Sequence, residues 1–262
     1  MRKKNSVEIV TIGNELLIGH TLDTNSNWIA QRLREQGWTL RRITTIPDSL
    51  NEIATAVKES LRRKPRLLFT LGGLGPTPDD MTLKGVARAL GTRVQLNETA
   101  LEFVRKFYER MGRPAKMIGP RRKMAMLPKE GSPLSNSVGT APGVLIEKGS
   151  TTIISLPGVP REMEAIFRES VIPLLEKSGG RAPIETTLKI DGIVESALAP
   201  VITRVKRLFP GLYFKSHPRG SETTGRPLIE LHIYSLTESG REKLGEAASY
   251  ILKQLSELRI SK

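Results

Sequence analysis

The 262-residue chain predicts an α/β fold, with a mostly parallel sheet covered by helices on both faces and a small α+β unit after it. Three observations carry this. Strand-like apolar runs alternate with helix-period segments through the first hundred residues, the pattern of parallel strands joined by crossover helices. Glycines close two of those runs, Gly13 and Gly72, where loops leave the carboxyl ends of strands. After the small and turn-forming cluster "SGGRAP" (178–183) the order changes to strand, helix, strand, strand, helix.

The elements follow in order. "VEIVTIG" (7–13) is an apolar run ending at glycine. "TNSNWIAQRLREQG" places Trp28, Ile29 and Leu33 on one helical face, with Asp23 or Thr24 as cap and Gly37 as stop. "WTLRRITTI" (38–46) reads as a strand, ended by Pro47-Asp48, and "LNEIATAVKESLRR" as a helix with Ile53, Val57 and Leu61 aligned. "RLLFTLGG" (66–73) is a third, buried strand. "DMTLKGVARALG" brings Leu83, Val86, Ala87 and Leu90 to helical spacing. Beyond it "TALEFVRKFYERMG" is a helix, "MIGPRRKMAMLP" a short one, "SPLSNSVGTAPG" a loop and "GVLIEKGSTTIISL" a hairpin. "PGVPREMEAIFRESVIPLLEK" is a loop feeding a helix, which closes a first domain at residue 177. The second domain, 183–262, holds the strands "TTLKI", "GLYFKSH" and "LIELHIYS", the helix "VESALAPVITRVKRL" and a closing helix.

Composition narrows the chemistry. The chain has no cysteine, which excludes a disulfide framework, a thiolate metal site and a cysteine nucleophile, and fits a reducing, cytoplasmic setting. No apolar run approaches the roughly 20 residues of a membrane span, and "MRKKNSVEIV" lacks a secretory h-region. The net charge of +14 suits an anionic partner or serves solubility alone. His20, His217 and His232 show no metal-ligand spacing, and no G-x-S-x-G elbow is present.

The stretch "LGGLGPTPDDMT" (71–82) concentrates the functional question. It is neither a Rossmann fingerprint, since proline stands where the third glycine belongs, nor a nucleotide-hydrolase phosphate loop, since it lacks G-K-[ST]. Its glycines permit close approach to an anion, yet Asp79 and Asp80 follow at once, in the first turn of the next helix. Two readings stand. Thr77 or Asp79 caps that helix; or the two carboxylates hold a divalent cation together with the substrate's phosphate oxygens. Glu15, in "GNELLIG" after the first strand, is expected on the same rim, as a further metal ligand or as the base for a water.

"IGNELLIGHTLDTNSNWIAQRL", "LGGLGPTPDDMT", "NSVGTAPG" and "LPGVPREM" together resemble the N-terminal region of the CinA (competence/damage-inducible) family, whose fold is similar to the molybdopterin-binding MoaB/MogA proteins. The resemblance covers about residues 5–175, and the tail resembles the small KH-type domain that follows in CinA proteins. It implies a three-layer αβα sandwich, a metal-dependent nucleotide pyrophosphatase acting on ADP-ribose, and a homo-oligomer, at least a dimer. It places catalysis and the divalent metal at Glu15, Asp79 and Asp80. Substrate contacts fall on Gly13, Asn14, Gly72, Gly73, Gly75 and Thr77, then on Asn136, Gly139 and Pro142, and on Pro157, Gly158 and Pro160. Asn136 is expected to bond a phosphate or ribose.

Two departures shape the expectation. The chain ends at Lys262 without the deamidase domain of full-length CinA proteins, so no amide hydrolysis is expected. Leu74 and Asp79 stand where molybdopterin binders resemble threonine and arginine, which favours a metal-bridged diphosphate over a pterin phosphate. Two alternatives remain: a molybdopterin-binding or adenylyl-transferring protein, and a non-enzymatic basic binding protein. Residues 183–262 contain no G-x-x-G tetrapeptide, so the tail is expected to serve packing or dimerisation rather than nucleic-acid binding.

Overall fold

The computed structural model describes residues 5–114, 116–177, 184–219, 227–235 and 240–260. By internal contacts the chain divides into two units, Met1–Arg181 and Ala182–Lys262. The "SGGRAP" boundary expected from sequence lies outside the described residues.

In the first unit, strand β1 (Ser6–Ile12) is buried along its whole length. Such a strand needs cover on both faces, and its side chains divide accordingly. Val7 and Ile9 join Phe69 and a core built on Ile29, Leu33, Met163 and Phe167. Val10 and Ile12 turn the other way, toward Leu68, Ile53, Val57 and Val86. The strand period of two thus sorts neighbouring residues into two separate cores.

The helices supplying those cores come from both sides of the chain order. On one face lie α2 (Thr24–Glu35), capped by Asp23, whose side chain accepts from the Ser26 N–H at 2.9 Å, and α7 (Pro160–Ile166). On the other lie α3 (Leu50–Arg63) and α4 (Thr82–Leu90). The sheet also contains β2 (Thr39–Ile46), β3 (Leu67–Leu71), β6 (Ser132–Leu134), β7 (Gly143–Lys148) and β8 (Thr151–Leu156), in the order β2-β1-β3-β8-β7-β6. β2, β1, β3 and β8 pair in parallel, and β7 and β6 close the edge antiparallel. The sheet is therefore mostly parallel, with helices covering both faces.

One polar group interrupts the second core. Glu8 is 6% exposed and accepts from Ser60 Oγ at 2.5 Å and from Arg63 Nη2 at 2.7 Å. Burial alone raises the pKa of the Glu8 carboxyl, but these donors outweigh it and hold the group below the usual carboxylate range. The arrangement pins α3 to β1.

Three local assignments differ from the sequence reading. "MIGPRRKMAMLP" is helical only in α6 (Pro120–Lys123); its end forms β5 (Met126–Pro128), paired antiparallel with β4 (Val94–Leu96). "SPLSNSVGTAPG" is not loop throughout, since β6 adds the edge strand to the main sheet. The segment after "PGVP" is not one regular helix: a π-helical turn, Phe167–Val171, separates α7 from α8 (Ile172–Lys177). Short strands lack enough period to be seen in a sequence, and their pairing partners are distant in the chain.

The second unit runs β9 (Ile184–Asp191), α9 (Glu195–Leu208), β10 (Leu212–Pro218), β11 (Leu228–Ser235) and α10 (Gly240–Ile260). Its antiparallel sheet, ordered β10-β11-β9, alternates cleanly along β11, where Ile229, Leu231 and Ile233 turn toward helices α9 and α10. Pro200 sits inside α9, beyond the first turn where it would be neutral. No helix among the described residues is long and apolar enough to cross a membrane.

Candidate functional site

Because β1, β3 and β8 are parallel neighbours, the loops after Ile12, Leu71 and Leu156 open on one rim. A cavity of about 470 Å³ lies there, beyond the carboxyl ends of the strands where such sheets bind ligands. The loops are fixed by backbone bonds: Gly13 N–H donates to Ile46 O at 3.1 Å, and Gly72 N–H to Leu156 O at 3.0 Å. Asn25 Nδ2 donates to Gly158 O at 2.8 Å, tying the start of α2 to the "LPGVP" turn.

The glycine loop is held from its far end. Thr82, the first residue of α4, donates from Oγ1 to Gly72 O at 2.8 Å and from its N–H to Gly73 O at 3.2 Å. Gly72 and Gly73 have φ of 95° and 64°, the left-handed region that favours glycine. A Cβ at Gly73 would stand 2.3 Å from Thr82 Oγ1, and one at Gly72 would stand 2.5 Å from Ile12 O. The loop is therefore a tight backbone surface that other residues would distort.

Asp79 and Asp80 are not in the first turn of α4, which begins at Thr82 with Met81 as cap and no side-chain capping bond. Neither Thr77 nor Asp79 caps the helix. Asp80 instead folds back: its Oδ2 accepts from the Thr77 N–H at 2.8 Å and from Thr77 Oγ1 at 2.7 Å. Pro78 disfavours helical backbone at Thr77, so the chain turns before it can start the helix. Asp80 borders the cavity, whereas Asp79 is exposed and does not. Lys123 of α6 clamps the same turn, donating from Nζ to Gly75 O at 3.2 Å and to Thr77 O. Burial draws its ammonium below the usual lysine range, against the pull of Asp80 and Asp79.

Glu15 borders the cavity from the short helix α1 (Asn14–Leu17), its carboxylate lying over Gly13. Among the described residues no three His, Asp or Glu side chains converge to hold a metal ion by themselves. Glu15, Asp79 and Asp80 thus do not form a preassembled triad. The cavity nevertheless gathers five carboxylates, Glu15, Asp23, Asp48, Asp80 and Glu162, and no lysine, arginine or histidine among its lining residues. In a chain of net charge +14 that is a local reversal of sign. Carboxylate oxygens are donors that suit a hard divalent cation.

The remaining expected residues divide. Gly72, Gly73, Gly75, Pro157, Gly158 and Pro160 border the cavity. Gly13, Asn14, Thr77, Gly139 and Pro142 are not among its lining residues; Asn14 N–H donates to Asp48 Oδ2 at 2.8 Å. Asn136 departs most from expectation. It is 6% exposed, and its Nδ2 donates to Ala141 O at 2.9 Å and to Glu162 Oε2 at 2.7 Å. Its Oδ1 accepts from the N–H groups of Val138 and Gly139, at 3.2 and 2.8 Å. With two donors and two acceptor positions engaged, the amide has nothing left for a phosphate or ribose. It is a brace for Glu162.

Glu162 was absent from the expected set, although "LPGVPREM" contains it. Burial pushes its carboxyl above the usual carboxylate range, opposed by the Asn136 bond. Asp48 was also missed, yet it follows β2, whose end neighbours Gly13; the rule that strand ends share a rim finds it. Tyr108 and Met124 reach the cavity from α5 (Glu98–Arg110) and the residue after α6, with no local signal.

Residues 8–177 match the family described as "Probable molybdopterin binding domain". A protein of Pyrobaculum arsenaticum is 45% identical over 240 residues, 90% of this chain and 88% of its own. One from Aeropyrum pernix is 44% identical over 252 residues, 96% and 91% of the two chains. A crystal structure of a CinA protein of unknown function from Thermoplasma acidophilum is 37% identical. It covers 65% of this chain and 98% of its own, with a TM-score of 0.60.

Proposed function

The chain belongs to the family of probable molybdopterin binding domains, and from that premise we propose that it hydrolyses the pyrophosphate bond of ADP-ribose or a related dinucleotide in a cation-dependent reaction. The products are AMP and a sugar phosphate. The observation that carries this reading is the sign of the cavity wall. Five carboxylates beside a glycine loop repel a bare diphosphate, and admit one only in company with a divalent cation.

Asp80 and Glu15 are the residues that would hold that cation, with the substrate's own oxygens completing its shell. When bound it offsets the diphosphate charge and stabilises charge on the departing phosphate. The Gly72–Gly75 backbone lets the diphosphate approach within contact distance. A water oxygen bonds to one phosphorus, the bridging P–O bond breaks, and the leaving phosphate departs with the electron pair. Glu162 takes the water's proton. Burial, which pushes its carboxyl above the usual carboxylate range, and its fixed orientation on Asn136 suit a general base.

The test is AMP release from ADP-ribose by purified protein, with and without divalent cations. Cation-independent turnover, or none with any cation, sinks the reading. The family description favours a second reading, a molybdopterin-binding protein of cofactor biosynthesis. Pterin binding without hydrolysis of ADP-ribose would select it.

A further inference from the structure

Across the glycine loop from the first cavity lies a second, of about 370 Å³. Gly73, Leu74, Gly75 and Asp80 border both. The far walls differ in kind. Leu83, Val94 and Met126, from α4, β4 and β5, join Leu74 in an apolar surface, and Lys84, Arg122 and Lys123 supply the charge. Lys123 is engaged by the carbonyls of Gly75 and Thr77. Lys84 and Arg122 are exposed, and neither has an ion-pair partner among the described residues. One side of the loop therefore faces five carboxylates, and the other faces Asp80 and three cations, of which Lys84 and Arg122 have no ion-pair partner among the described residues.

We propose that this second cavity is a binding site for a nucleoside monophosphate, with the base against Leu74, Leu83, Val94 and Met126 and the phosphate between Lys84 and Arg122. The volume is in the range of small-molecule sites, which are mostly apolar with a few placed polar groups. A flat, weakly polar base fits the apolar wall. Two cations with no ion-pair partner among the described residues match one dianionic phosphate, and arginine suits it through paired N–H donors. Asp80, which also borders this cavity, opposes a second anionic group, which limits the ligand to a monophosphate. The site needs no cation and no hydrolysis, so it stands or falls apart from the proposed reaction.

Two methionines separate the cavities: Met124 borders the first and Met126 the second. The full chain, labelled with methyl-13C methionine, is titrated with AMP in EDTA, the two signals being assigned by Met→Leu substitution. The Met126 methyl is expected to shift saturably. The Lys84→Glu/Arg122→Glu pair should raise the half-saturating AMP concentration at least tenfold, and inorganic phosphate or ribose 5-phosphate should not saturate over the same range. An unmoved Met126 signal, an unaltered titration in the charge-reversed pair, or equal response to ribose 5-phosphate overturns the proposal. If charge reversal disturbs the ligand-free methyl spectrum, Lys84→Gln/Arg122→Gln makes the same comparison without it, with a smaller expected loss of about threefold.

Discussion

Asp80→Asn separates the two tasks that the structure gives Asp80. The carboxylate oxygen that accepts from Thr77 N–H and Oγ1 at 2.8 and 2.7 Å becomes an amide oxygen, still an acceptor, while the negative charge disappears. A carboxylate about 4 Å from a charge contributes about 4 kcal/mol at a protein-surface dielectric. Asp80 is half-buried, so water screens part of this and about 2–4 kcal/mol remains. That predicts a roughly 30- to 1000-fold fall in kcat/KM for AMP release from ADP-ribose, with a higher half-saturating cation concentration. Asp80→Ala removes the acceptor as well, at about 1–2 kcal/mol of stability and a Tm lower by roughly 2–8 °C. Asparagine should keep Tm near wild type. Hydrolysis by Asp80→Asn within threefold of wild type would refute the placement of Asp80 beside the cation.

Further outcomes follow from neighbouring groups. Wild-type hydrolysis should fall as pH drops through the raised pKa of Glu162, because protonation removes the base; Glu162→Gln should be about 10²–10⁴-fold slower and lack that limb. Because burial disfavours the ionised form of Glu162, Glu162→Gln should also melt higher than wild type at pH 8. Asn136→Ala strips Gly139 N–H, Ala141 O and Glu162 of a partner, costing about 2–4 kcal/mol and moving the acidic limb to higher pH. Gly73→Ala puts a Cβ against Thr82 Oγ1 at a φ of 64°, and should lower Tm by several degrees, at about 1–3 kcal/mol. In the Glu8–Arg63 pair the depressed Glu8 pKa stabilises the fold above the unfolded value near 4.5 and is lost as pH falls through the folded one. Arg63→Met, which leaves Glu8 buried with Ser60 as its remaining side-chain donor, should begin acid unfolding at higher pH and cost about 3 kcal/mol.

The sequence by itself determined the long elements and the rim on which the cavity opens. Buried parallel strands must be apolar throughout, so "VEIVTI" and "LLFTL" declare themselves. Helices with one buried face, such as α3, repeat at helical spacing. The glycines after two such strands then mark the rim, because parallel connectivity puts those loops at one end of the sheet. The fine structure of that rim was decided by contacts between residues far apart in the chain. Asp79 and Asp80 are adjacent in sequence, yet one faces solvent and the other the cavity, since Thr77 offers Asp80 two donors three residues back. Asn136 has the residue type of a ligand contact and becomes a brace, because Ala141, Val138, Gly139 and Glu162 engage its whole amide. Glu162 gains its raised pKa only from the burial that folding imposes. A motif names which atoms can donate or accept; only the tertiary structure decides which of them remain free, because hydrogen bonds formed within the fold are withdrawn from the ligand.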